Sequence, residues 1–104
     1  MEKIKVIVKR PDESVGHMTY ISDSLKNLQN IVGGYIQMVP ISDKAAVICN
    51  EEGKLTGLPI NCSFGKDILV GTIIIVGTEE DELADISLEM TEWKQILKEW
   101  GNEI

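Results

Sequence analysis

The chain opens Lys3-Ile4-Lys5-Val6-Ile7-Val8-Lys9-Arg10, with Ile4, Val6 and Val8 alternating against lysines and Ile7 interrupting the polar face. A period of two with β-branched residues predicts a strand. Pro11-Asp12-Glu13-Ser14 ends it, and His17-Met18-Thr19-Tyr20-Ile21 predicts a short return strand, so the first unit is expected to be a hairpin. Ser22-Asp23-Ser24 then offers N-cap oxygens, and Leu25, Leu28, Ile31 and Val32 recur at near-helical spacing. Gly33 follows as a residue able to close a helix in the left-handed conformation. A helix this short is marginal alone, so its apolar stripe must pack on a sheet.

From Tyr35 to Ile41 the pattern returns to strand, and Pro40 ends it or holds it at an edge. Ala45 to Asn50 predicts the next strand, antiparallel to its predecessor. Glu51-Glu52-Gly53-Lys54 has turn chemistry, with Gly53 suited to a positive φ, and Leu55 to Asn61 reads as an extended arm broken at Gly57 and Pro59. The apolar run Ile68 to Gly77 predicts a central strand over 68–76, covered on both faces, in which Gly71 marks a bulge or a close backbone approach. The acidic run Glu79-Glu80-Asp81-Glu82 is expected to leave the sheet. A C-terminal helix capped by Ser87 or Thr91 follows, with Trp93, Ile96, Leu97 and Trp100 on one face and Gly101 at its end. The predicted fold class is α+β: one domain over residues 1–104, a small, mainly antiparallel sheet with two helices packed on it.

Composition narrows the function. A chain of 104 residues, 43% hydrophobic and 26% charged, is an ordinary single globular domain and excludes a disordered one. A net charge of -7 argues against a nucleic-acid partner, because coating phosphates needs a basic face. The apolar runs are shorter than the ~20 residues of a membrane-spanning helix, and the charged N-terminus is no signal peptide. No membrane partner is expected, and the location expected is the cytoplasm. Cys49 and Cys62 are too few for a disulfide framework and read as buried thiols. With the lone His17 they lack the spacing of a metal site, and the acidic run lacks the order of a calcium loop. No catalytic arrangement surrounds His17, so neither enzyme activity nor a cofactor or metal is expected.

The segment Asn50 to Asn61 carries two asparagines, a lysine, two glycines and a proline between strands. Irregular arms on a rigid sheet are where binding residues concentrate. Where this arm meets the Gly33-Gly34-Tyr35 step, a ligand site is expected from Gly33, Gly34, Tyr35, Gln37, Asn50, Lys54 and Asn61. Tyr35 would stack on a base, backbone N–H groups near Gly33 and Gly34 would meet phosphate or ribose, and the asparagines and Lys54 would supply directed contacts. The ridge at Trp93 and Trp100 predicts a homo-oligomer, most simply a two-fold dimer.

With Leu28-Gln29-Asn30-Ile31-Val32-Gly33-Gly34-Tyr35-Ile36-Gln37, Val39-Pro40, Asn50-Glu51-Glu52-Gly53-Lys54-Leu55, Gly57-Leu58-Pro59-Ile60-Asn61 and Gly71-Thr72 together, the chain resembles a small phage- and mobile-element-associated family catalogued as a domain of unknown function. Similar sequences often carry a basic residue after the final asparagine, where Cys62 stands here. The resemblance implies a phage accessory protein acting inside a bacterial host, and it implies no reaction. The expected function is a non-enzymatic anti-defence protein that binds and sequesters a small nucleotide-derived immune signal. The alternative is an acidic inhibitor of a host enzyme or nucleic-acid-binding protein, with Glu79 to Asp85 and Glu51-Glu52 as its surface.

Overall fold

The structure is a computed structural model and describes residues 2–104. The opening hairpin forms as predicted from β1 (Lys3–Lys9) and β2 (His17–Ser22), with Ile4 opposite Ile21 and Val8 opposite His17. Helix α1 (Leu25–Val32) starts at Ser24, whose side chain accepts from the Asn27 N–H, and ends at Gly33 with φ 84°. Both ends are locally encoded: an Oγ for an orphan N–H, and a residue without Cβ for the left-handed turn. Strands β3 (Ile36–Pro40) and β4 (Ala45–Asn50) pair antiparallel, with Pro40 in an edge strand.

The predicted strand over 68–76 is in fact two. β6 (Asp67–Val70) pairs with β5 (Ile60–Phe64) in a separate two-stranded sheet, whereas β7 (Ile73–Glu79) enters the main sheet. Gly71 makes the break: its φ is 71°, its N–H donates to the Pro59 carbonyl at 2.7 Å, and Leu58 lies where a Cβ would stand. The close approach expected at Gly71 is real, but it ends the strand rather than bulging it. Among the described residues the main sheet has six strands, in the order β2-β1-β7-β4-β3, with β8 (Glu82–Ala84) also paired to β7. The acidic run therefore does not leave the sheet. It turns back as a tight hairpin, with Glu80 and Asp81 both at positive φ.

β7 is central, and alternate residues serve two cores. Ile74 and Val76 join Val6, Val8, Ala46 and Ile48 under Leu28 and Val32 of α1. Ile73 and Ile75 join Ile7, Val47 and Cys49 on the opposite face, with Trp93 and Leu97 of α2 (Met90–Glu99) and with Cys62 and Leu69 of the small hairpin. The two helices thus sit on opposite faces of the sheet, which explains why β7 is apolar throughout. Ile7 interrupts the polar face of β1 because it lies in the core that α2 covers.

Other expectations are corrected. The start of α2 is Glu89, whose N–H donates to Glu92 Oε1 at 3.0 Å, rather than Ser87 or Thr91. Of the segment expected as an extended arm, Leu55 to Gly57 folds into compact turns, with N–H bonds from Thr56 to the Glu52 carbonyl and from Leu58 to the Gly53 carbonyl, while Ile60 and Asn61 are extended and open β5. Gly53 has no positive φ. It is buried, and a Cβ there would fall 2.7 Å from Val70 Cγ2. Trp93 is fully buried, its Nε1 donating to the Val15 carbonyl, and Trp100 packs edge-on against Trp93 and Phe64. Trp93 and Leu97 of the ridge are core, while Ile96 and Trp100 are partly buried against them.

Candidate functional site

The end of the β3–β4 ladder nearest α1 holds six of the seven predicted residues, in two neighbouring depressions. The first is a cleft of about 230 Å³ between the β3–β4 edge and β6, lined by Gln37, Val39, Cys49, Asn50, Lys54 and Asp67 among others. The second is a more open depression over the end of α1, lined by Gln29, Asn30, Gly33, Gly34 and Tyr35. Asn50 links them: it borders the cleft, and its Nδ2 donates to the Val32 carbonyl at 3.2 Å. Gly34 is a glycine for this reason, since a Cβ would sit 2.9 Å from Asn50 Nδ2. The group that approaches Gly34 is the Asn50 carboxamide.

Much of the polar chemistry expected to meet a ligand is engaged within the fold. The N–H groups of Gly33 and Gly34 both donate to the Gln29 carbonyl, at 2.8 and 3.0 Å, so neither is free for phosphate. Asn50 Oδ1 accepts from the Glu52 N–H at 2.8 Å. Lys54 reaches across the cleft mouth to Asp67 at 2.6 Å, with both side chains more than half exposed. Lys54 and the Ile68 N–H together hold the Asp67 carboxyl below the usual carboxylate range. An exposed pair of this kind adds little stability and exchanges readily with a ligand charge.

Asn61 lies outside both depressions. It is buried, its Nδ2 donating to the carbonyls of Lys9 and Gly71, both at 2.8 Å. Its Oδ1 accepts from Lys9 Nζ at 2.9 Å, and its backbone carbonyl accepts from the same ammonium at 3.2 Å. The apparent binding asparagine is a structural knot. Lys9, only 2% exposed, was not singled out in the sequence because it alternates like its exposed neighbour Lys3. Burial pulls its amine below the ordinary lysine value.

What remains free at this end is Tyr35, which is 67% exposed, the exposed Gln37, and Leu55, which stands out from the cleft lip. Cys49 lies beneath the cleft, its thiol directed at the Gln37 carbonyl at 3.8 Å. Burial pushes the thiols of Cys49 and Cys62 up, the reverse of activation. His17 pairs through Nδ1 with Glu13 at 2.9 Å and lines neither depression. Among the described residues no cluster of His, Cys, Asp or Glu is placed to hold a metal ion, and no helix is long and apolar enough to cross a membrane.

No curated protein and no solved structure matches the chain. A family model does, over residues 4–101, from the first strand to the glycine that ends α2. The chain belongs to the domain of unknown function family DUF3846.

Proposed function

We propose that the protein is a non-enzymatic binder of a small nucleotide-derived molecule, held at the Tyr35 end of the β3–β4 ladder. The observation that carries this reading is the exposed Tyr35 ring beside a depression lined by Gln29 and Asn30. A solvent-facing ring gives a base a stacking platform, and carboxamides match the mixed donor and acceptor edges of bases. The adjoining cleft, with Gln37, Lys54 and Asp67 at its walls, accommodates a second polar portion of the ligand. Lys54 exchanges Asp67 for a ligand anion. Buried, unactivated thiols and a histidine remote from the site favour binding without turnover. The sequence likeness supports a phage accessory role, sequestering a host immune signal in the bacterial cytoplasm.

Thermal-shift measurements against cyclic nucleotides and ADP-ribose-derived compounds test the reading. A ligand at about 100 times its Kd adds roughly 2.7 kcal/mol of stability. Tyr35→Ala should abolish the shift while leaving the melting temperature of the free protein nearly unchanged, because the ring is exposed. No shift with any compound, or chemical change of the bound compound, would contradict it.

One observation favours a second reading. The β7–β8 hairpin exposes Glu79, Glu80, Asp81 and Glu82, and Asp43 lines the same groove. This is an acidic surface of the kind that covers a basic patch on a host protein. Capture of a host protein that weakens steeply with salt and survives Tyr35→Ala would favour it.

A further inference from the structure

The outer edge of β3 has an unusual inventory. In the β3–β4 ladder the Glu51 N–H donates to the Tyr35 carbonyl and the Ile41 N–H to the Ala45 carbonyl, both at 2.9 Å. Antiparallel ladders alternate, so the main-chain groups of Tyr35, Gln37, Val39 and Ile41 point toward β4. Those of Ile36, Met38 and Pro40 point away from the sheet, where β3 has no neighbouring strand among the described residues. The edge therefore offers two N–H donors and three carbonyls, and the N–H that Pro40 lacks is one that β4 never needed.

Edge strands are normally guarded by charge. This one is not. Tyr35 to Ile41 and the paired Ala45 to Asn50 contain no Asp, Glu, Lys, Arg or His, in a chain that is 26% charged. Met38 at the middle of the strand is 45% exposed. The opposite edge differs. There β2 adjoins the lysines of β1, and its Ser22 carbonyl already accepts from the Ser24 N–H and Asn27 Nδ2.

We propose that two copies of the chain pair through β3, antiparallel about a two-fold axis at Met38, joining their sheets into one. The occupant is a second copy because the edge is complementary to itself. In the centred register Met38 exchanges both main-chain bonds with the partner's Met38. Each Ile36 N–H donates to the partner's Pro40 carbonyl. All four outward N–H groups are satisfied, and each proline meets its partner with the carbonyl it has. A chain of net charge -7 repels its copy wherever acidic residues meet, and this ladder brings none together. On the face bearing the cleft, Gln37 lies opposite the partner's Val39, so the two clefts adjoin across the axis. This pairing is independent of the tryptophan ridge and of what the cleft binds.

Light scattering at tens of micromolar should give twice the 11.5 kDa chain mass. In that species the Ile36 and Met38 amides should resist hydrogen exchange as the interior amides of β7 do. Met38→Lys places two like charges on the axis and should return the chain mass with the fold retained. Met38→Pro removes one outward donor without touching the β3–β4 bonds and should do the same. If both variants fail to fold, the exchange pattern of the parent decides. A monomer at these concentrations, a dimer whose Ile36 and Met38 amides exchange freely, or a folded Met38→Lys variant that stays dimeric would overturn the proposal.

Discussion

Replacing Asn61 with alanine separates a structural asparagine from a binding one. Its carboxamide donates to the carbonyls of Lys9 and Gly71 and accepts from the Lys9 ammonium, so it ties the end of β1 to β5 and to the break before β7. Asn61→Ala leaves two buried carbonyls and one ammonium short of a partner. Each unsatisfied buried group costs about 1–3 kcal/mol, more where charge is involved. Water entering the vacated space recovers some of this, so the expected loss is about 3–5 kcal/mol. Against a total stability of ~5–15 kcal/mol for a domain, the melting temperature should fall on the order of 20 °C. Urea denaturation followed by fluorescence of the buried Trp93 measures it directly. Combining Asn61→Leu with Lys9→Met should cost less than the two single changes together, because the double variant leaves neither the Lys9 ammonium nor the Asn61 carboxamide without its partner. A loss below ~1 kcal/mol for Asn61→Ala, the level of an ordinary surface substitution, would refute the knot and return Asn61 to the list of ligand contacts.

Further predictions concern the sheet and the buried amine of Lys9. Ile74→Asp buries a lone carboxylate beneath α1 and should cost several kcal/mol in chemical denaturation; a variant as stable as the parent would show that β7 is not central. Gly77→Ala should be nearly as damaging, since its Cβ would lie 2.2 Å from the Asp85 carbonyl oxygen, a backbone atom that cannot step aside. Amine NMR should show Lys9 titrating below the ordinary lysine value. Between that depressed value and the ordinary lysine value the unfolded chain binds more protons than the folded one. Stability attributable to Lys9 therefore rises with pH across that window, and Lys9→Met should remove the slope; titration of Lys9 at the ordinary lysine value would contradict this.

The parts of the fold legible in the sequence are those written in local chemistry. Ser24 and Gly33 frame α1 by their own cap geometry, and the alternation of β1 and the spacing of Trp93, Ile96, Leu97 and Trp100 mark their elements unaided. The division of Ile68 to Val76 was not legible, because an apolar run looks the same whether one strand or two traverse it. What separates β6 from β7 is the distant Pro59 carbonyl and the Leu58 side chain meeting Gly71. The hairpin of β7 and β8 was hidden for a related reason: Glu80 and Asp81 at positive φ carry no glycine signature. At the site, Tyr35, Gln37, Asn50 and Lys54 do gather at one end of the ladder. Asn61 was misread because a polar residue in an irregular segment gives no sign of whether it faces solvent or a buried lysine. The partner that would have revealed its role, Lys9, lies 52 residues away in the chain.

The most direct test of the binding site is amide chemical-shift mapping with a nucleotide-derived compound that raises the melting temperature. The account predicts perturbations confined to Gln29 to Gln37, Cys49 to Leu55 and Asp67 to Val70, absent in Tyr35→Ala, with Asn61 and the Glu79 to Ala84 hairpin unmoved. Perturbations centred on the acidic hairpin, or a pattern that Tyr35→Ala leaves intact, would contradict it.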